Sequence, residues 1–293
     1  MGFKLIHSVA QRQFKKRMGQ ANHFLITILI GLDEVGKGQV KKPETLDVCW
    51  NPKDVKATVE RSRIYALNSS LAWIIDNFDS YIQNCRRKPC LIENKKLSEA
   101  LDSADRRVND KFKVLFNRYK SNGELRLYGA LVALGIQWRN VTTHSEANNE
   151  LDDEYKGILL DNKQWYNENF CHLDIDKALE SFKVHKNPTL KETTSIIKAV
   201  LRFVEIIDAE LLKEIQSVRF LSDLFAKHYQ QGSEDKRLLL NLSKERQISV
   251  VKNVLLNNGY VYDKEWGGFE VDEAFVNRYI VNQDCKKMGY DRD

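Results

Sequence analysis

An all-α fold is what this chain predicts, and three observations carry it. From about residue 55 onward, apolar residues recur at the three-and-four spacing of a helix that buries one face. Only 4 prolines and 14 glycines interrupt 293 residues, too few for a loop-rich all-β chain. The polar links between the periodic stretches are short, as between antiparallel neighbours in a helical bundle. With 42% hydrophobic and 30% charged residues, the chain can bury a real core, as one large or two modest domains.

Residues 1–50 read as a mixed N-terminal extension. A basic stretch, "RQFKKR" at 12–17, precedes the apolar run "HFLITILI", which fits a strand or a buried helix equally well. "GLDEVGKGQVKKPETLD" follows as a glycine-punctuated turn and loop, and the whole is compatible with a hairpin. Residues 51–173 read as a bundle of four amphipathic helices, its helical span running from about 55 to 172. The first places Ile64, Leu67, Leu71, Ile74, Ile75, Phe78 and Ile82 on one stripe and stops at "CRRKPC". The second, from Leu97 to Tyr119, turns Val108, Phe112, Leu115 and Phe116 inward. After "SNGE", a third packs Leu127, Tyr128, Leu131, Val132 and Trp138; the fourth uses Leu151, Tyr155, Ile158, Leu159, Trp165 and Tyr166.

Residues 174–293 read as a C-terminal helical domain. Asn187-Pro188 and a capping Thr189 open a helix carrying Ile197, Leu201, Val204, Ile207, Leu211, Ile215 and Val218. "QQGSEDK" is a hinge or loop, "SKERQISVVKNVLLNNGYV" a helix ended by Asn258-Gly259, and "WGGFEVDEAFVNRYI" a short strand and a helix.

The net charge of +5 is mild, because 41 acidic residues nearly balance 46 basic ones; it permits nucleic acid as a partner without requiring it. Five cysteines at scattered positions, none in CxxC spacing, predict free thiols rather than a disulfide frame or a zinc site. The start lacks a secretory signal, and the longest apolar run is shorter than the roughly 20 residues a membrane span needs. A cytoplasmic protein with no membrane partner is the expectation.

One apparent motif fails on its own terms. Gly31, Gly36 and Lys37 fit GxxxxGK, but Gly38 stands where magnesium needs Ser or Thr, and "QVKKPETLD" cannot supply the helix on which phosphate would rest. Asp33 and Glu34 would also line the cradle with negative charge.

The stretch that does carry chemistry is "WRNVTTHSEANN", where the third bundle helix runs out. Arg139, Asn140 and His144 fall within six residues. An imidazole near its free pKa can take or give a proton at neutral pH. A guanidinium can hold a phosphate oxygen through two hydrogen bonds and stabilise charge that builds in a transition state. An amide can orient either, and RNA supplies its own nucleophile, the ribose 2′-hydroxyl, so no metal-bound water is needed. Arg139 and His144 lie about 140° apart on a regular helix, so acting on one atom requires the helix to fade here or a partner surface to complete the site. The threonines, serine and asparagines that follow predict fading, with a new cap before Leu151.

The pattern Arg139, Asn140, three residues and His144, set on a helical bundle, resembles the signature of the HEPN superfamily. The resemblance covers about residues 55–172; neither the first 50 residues nor the C-terminal helices match anything. It implies a HEPN-like bundle and a metal-independent endoribonuclease without cofactors, cleaving tRNA or mRNA by 2′-hydroxyl transesterification. It further implies a homodimer with a composite active site, of the bacterial defence or toxin-like kind, with His144 moving the proton, Arg139 neutralising the phosphorane and Asn140 positioning the pair. Relatives that have lost catalysis only bind, which leaves a non-catalytic RNA-binding or adaptor module as the alternative.

A looser Arg-to-His match, Arg17 to His23, has Met18 after the arginine and no bundle helix before it, and reads as chance. Arg106, Lys113 and Lys120, seven apart, share an outer face and are candidate RNA-binding cations; a solvated helix face explains them equally. His172, His185 and His228 read as surface or cap residues without a second metal ligand at helical spacing, and Asp76 and Asp79 as solvated decoration. The C-terminal helices are left to sense, oligomerise or dock an inhibitory partner.

Overall fold

Several helix ends among the described residues are written in local chemistry. Before α10 (Leu190–Glu214), the Thr189 amide donates to Glu192 Oε2 at 2.6 Å and the Glu192 amide to Thr189 Oγ1 at 3.4 Å, a reciprocal capping box. Asp174 caps α9 (Ile175–Lys183) by accepting from the Lys177 amide. That helix closes with His185 at φ 54°, whose neighbour Lys186 returns its amide to the Ser181 carbonyl, the hydrogen bond of a left-handed helix stop. Cys171 and His172, at φ 52° and 61°, close α8 (Lys163–Asn169) in the same way.

The computed structural model describes residues 2–104, 107–143, 150–263 and 268–282. Helix makes up 71% and strand 3%, so the predicted all-α class holds. The chain forms two compact units: one of residues 14–80 and 104–206, the other of 1–13, 81–103 and 207–293. The divisions fall inside α1 (Val9–Met18), α3 (Val55–Cys85) and α10, and the 173/174 boundary expected from sequence falls within the first unit.

In the unit of residues 14–80 and 104–206, α6 (Gly123–Thr143) is the axis. Every residue from Tyr128 to Trp138 is buried. A helix can be covered all round only if neighbours approach closely, and two glycines permit it. A Cβ on Gly129 would stand 2.6 Å from Phe116 Cδ2 of α5 (Val108–Tyr119), and one on Gly135 would overlap the Ile196 side chain of α10. Phe78 of α3, Phe112 and Phe116 of α5, Tyr155 of α7 (Asp153–Asp161) and Phe203 of α10 form a cluster of tilted and edge-to-face aromatic pairs with centroids 4.9–6.5 Å apart. Trp138, fully buried, donates its indole N–H to the Lys186 carbonyl at 2.8 Å and packs edge-on against Phe182.

In the other unit, β1 (Gly2–Leu5) pairs antiparallel with β2 (Tyr260–Asp263), Phe3 opposite Tyr262. Gly259, at φ 92°, lies so close to the His7 carbonyl that no side chain fits. Ser8 caps α1, its Oγ accepting from the Gln11 amide at 2.9 Å. The buried Asp208 carboxylate takes the Ser8 amide at 2.9 Å, the Ser8 hydroxyl, and the Tyr81 hydroxyl at 3.2 Å. Around them pack α4 (Lys95–Ser103), α11 (Ser217–His228), α12 (Glu234–Leu240), α13 (Lys244–Asn257) and α14 (Glu273–Val276), the last continued by a π turn, Asn277–Val281.

Several elements differ from their expectation. The first 50 residues hold β1, α1 and α2 (Ala21–Gly36); β1 pairs with a strand 255 residues on rather than in a local hairpin. The apolar run takes the helical one of its two expected forms, as α2, but is buried on one side only. The Leu97–Tyr119 stretch is two helices, α4 and α5, with Val108 only partly buried, and the fourth bundle helix breaks at Asn162 into α7 and α8. The helix expected to reach Val218 stops at Glu214: Gln216 is extended and its amide donates to Glu93 Oε2 at 2.8 Å. A tertiary acceptor there replaces the next helical carbonyl, which periodicity cannot reveal.

Candidate functional site

Arg139 and Asn140 stand in the last turn of α6, immediately after the buried Trp138. The helix carries on through both threonines rather than fading at them. Thr142 Oγ1 and Thr143 Oγ1 donate to the Arg139 carbonyl at 3.0 and 2.7 Å, hydroxyls folded back onto a carbonyl of their own helix. His144 lies outside the described residues, and the next cap position is Asp152, after Leu151 rather than before it.

The Arg139 guanidinium is anchored from two sides. Nη1 donates to Asn140 Oδ1 at 3.2 Å and Nη2 to Asp76 Oδ1 of α3 at 2.7 Å; Nε is buried without a partner among the described residues. Among the described residues, two of its five donors are therefore engaged. The Arg139 side chain is 22% exposed and that of Asp76 61%. A pair this open to water adds no more than about 1 kcal/mol to stability, so its consequence is orientation of the guanidinium. The structure thus brings Arg139 and Asn140 together and adds Asp76. Expected as solvated decoration, Asp76 sits 63 residues away in the chain, and no helical spacing links it to Arg139. Asp79 is engaged too, accepting from Lys111 Nζ at 2.7 Å, and that lysine is 2% exposed.

Of the candidate RNA-binding cations, Arg106 lies outside the described residues. Lys113 pairs with Asp152 and Lys120 with Glu154, each at 2.8 Å. Both carboxylates stand at the start of α7, where a helix favours negative charge, so each lysine already has an anion beside it.

The remaining motifs find plain structural places. Gly31 and Gly36 lie within α2, so the GxxxxGK stretch is helix where a phosphate cradle must be loop. His172 and His185 are left-handed helix stops. His228 ends α11 beside Asn258 Nδ2 at 3.3 Å, and partial burial lowers its pKa. Cys49, Cys85, Cys90 and Cys171 are free thiols, Cys85 buried, which pushes its pKa well up. Among the described residues no cluster of His, Cys, Asp and Glu could hold a metal, and no helix is long and apolar enough to cross a membrane.

Comparisons with protein-family models, with curated proteins and with solved structures find no match for this chain. Its fold and candidate site stand on their own geometry.

Proposed function

We propose that the protein is a metal-independent endoribonuclease of HEPN-like character, cleaving tRNA or mRNA by attack of the ribose 2′-hydroxyl on the adjacent phosphate. The observation that carries this reading is the Arg139 guanidinium, held by Asp76 and Asn140 near the C-terminal end of the buried helix α6, five residues before His144. In this mechanism His144 exchanges the proton of the 2′-hydroxyl or of the leaving oxygen, within one chain or across a homodimer. Arg139 neutralises the charge on the phosphorane and Asn140 keeps the guanidinium aimed. The products carry a 2′,3′-cyclic phosphate and a free 5′-hydroxyl. The reading puts the reaction in the cytoplasm, in anti-phage defence or growth arrest, with RNA as substrate and the C-terminal helices free to take a restraining partner.

The test is incubation of pure protein with labelled tRNA and mRNA in excess EDTA, with the ends mapped. Arg139→Ala and His144→Ala should each lower cleavage by about 10²–10³-fold while leaving the thermal transition in place. Cleavage unchanged from the wild type in both variants rejects the nuclease.

One observation favours a second reading. Asp76 and Asn140 hold Arg139, and Thr142 and Thr143 fold back onto its carbonyl, as in a purely structural polar end of a helix, and a non-catalytic adaptor or RNA-binding module needs nothing more. An adaptor yields no cut ends; an RNA binder yields none either, but its affinity falls steeply with salt.

A further inference from the structure

The stretch "CRRKPC" ends α3 and then doubles back. The Arg86 and Arg87 amides donate to the Gln83 and Asn84 carbonyls, each at 3.2 Å, and the Leu91 amide to the Cys85 carbonyl at 2.9 Å. That turn sets Arg87 and Lys88 on a recess of about 170 Å³, whose lining lies wholly within the unit of residues 1–13, 81–103 and 207–293. Lys227, in the last turn of α11, reaches the same recess, as do Val9 and Ala10, the first two residues of α1. No described residue lining it is Asp or Glu, whereas the larger cavity between α7 and α9 is lined by Glu150, Asp153, Asp176 and Glu180. Asp208, which Ser8 bonds, is buried and hydrogen-bonded on both oxygens.

A cation at the end of one helix needs no ligand to explain it, since it answers the helix dipole. Arg86 fits that account and is paired with Asp102. Two helix ends that turn their cations into one recess do not fit it, because like charges repel. The amides of the first turn of α1 add positive partial charge to the same place. Among the described residues neither Arg87 nor Lys227 has a carboxylate partner, and the printed bond of the Arg87 side chain is a long one, 3.4 Å to Asn84 Oδ1. Lys88 alone is answered, by Asp223 at 3.3 Å. An anion in the recess is what would offset this gathering of charge.

We propose that the recess binds a terminal phosphate group, carried by a nucleotide or by the 5′ end of an RNA. Arg87 takes two phosphate oxygens as a fork, Lys227 meets another as a point charge, and Lys88 is shared with Asp223. The volume is many times the roughly 15 Å³ that one water needs, and so admits a phosphoryl group. The site holds whether or not Arg139 acts on RNA.

Its test is titration calorimetry of the full chain with pyrophosphate, with ATP, and with a 2′-O-methyl oligonucleotide bearing either a 5′-phosphate or a 5′-hydroxyl. Pyrophosphate should bind with a Kd below about 1 mM. Arg87→Gln and Lys227→Gln should each weaken it at least about tenfold while the unfolding temperature of the free chain stays in place, both side chains being exposed. Asp223→Asn should tighten it by about two- to fivefold, because it removes the carboxylate that shares Lys88; a merely structural role predicts no such gain. Tighter binding of ATP than of pyrophosphate puts the phosphate on a nucleotide, and a preference for the 5′-phosphorylated oligonucleotide puts it on an RNA end; either supports the site. No binding of any probe up to about 10 mM, affinity indifferent to both Arg87→Gln and Lys227→Gln, or binding lost in Arg139→Ala instead, would overturn the proposal.

Discussion

Helices α2 and α6 pose the same sequence problem and receive opposite answers. Both are apolar with little contrast between faces, and both carry glycine in mid-helix. In α6 the glycines touch: Gly129 lies against Phe116 and Phe203, Gly135 against Ile196, and the helix vanishes from the surface between Tyr128 and Trp138. In α2 the glycine touches nothing, and four large apolar side chains remain in water. A glycine inside a helix weakens it by about 1 kcal/mol relative to alanine. In α6 that loss is offset by close packing within the chain; in α2 nothing in the lone chain offsets it. The same residue pattern thus encodes a core in one place and an unfinished surface in the other.

Substitutions can break or sharpen this contrast. The largest effect belongs to Trp138→Ala, which empties the inner end of α6 and removes the indole bond to the Lys186 carbonyl; chemical denaturation should show a loss of about 3–5 kcal/mol. Gly135→Val, forcing a branched side chain into Ile196, should cost about 1–3 kcal/mol by the same measurement. Its counterpart in α2, Ile30→Glu at a side chain 58% exposed, should shift the stability of the single chain by no more than about 0.5 kcal/mol. If Ile30→Glu proved as costly as Gly135→Val in dilute, single-chain conditions, the contrast between the helices would be lost.

A polar core offers a third measure. Burial holds the Asp208 carboxyl above its ordinary pKa in spite of hydrogen bonds from Ser8 and Tyr81. The folded chain therefore binds that proton more tightly than the unfolded chain. The stabilisation from protonation is fully present below the unfolded value, about pH 3.9, and is lost as pH rises through the raised folded value. In Asp208→Asn this slope should disappear from a plot of unfolding temperature against pH. The variant should also lose about 1–3 kcal/mol near neutrality, because an amide nitrogen would then face donors.

The site was partly legible in the sequence. Arg139 and Asn140 at the end of a greasy helix could be read from the abrupt change at Trp138, because helix amphipathicity and its termination are local properties. The Asp76 anchor could not, since the pair joins helices 63 residues apart and an acidic residue on a helix surface looks alike with or without a partner. The carboxylates beside Lys113 and Lys120 were illegible for the same reason: spacing reports which residues share a face, not which carboxylates lie opposite.

From its sequence alone the protein is determined to be helical, with core stripes on α3, α5 and α10 and ends marked at Thr189 and Asn258-Gly259, because periodicity and capping act within a few residues. Tertiary structure alone decides that β1 pairs with β2, that helices break at Asn162 and Gln216, that Asp76 holds Arg139, and that α6 is covered while α2 is not. Those outcomes depend on residues distant in the chain arriving at a given face, and free energy of burial is set by what arrives.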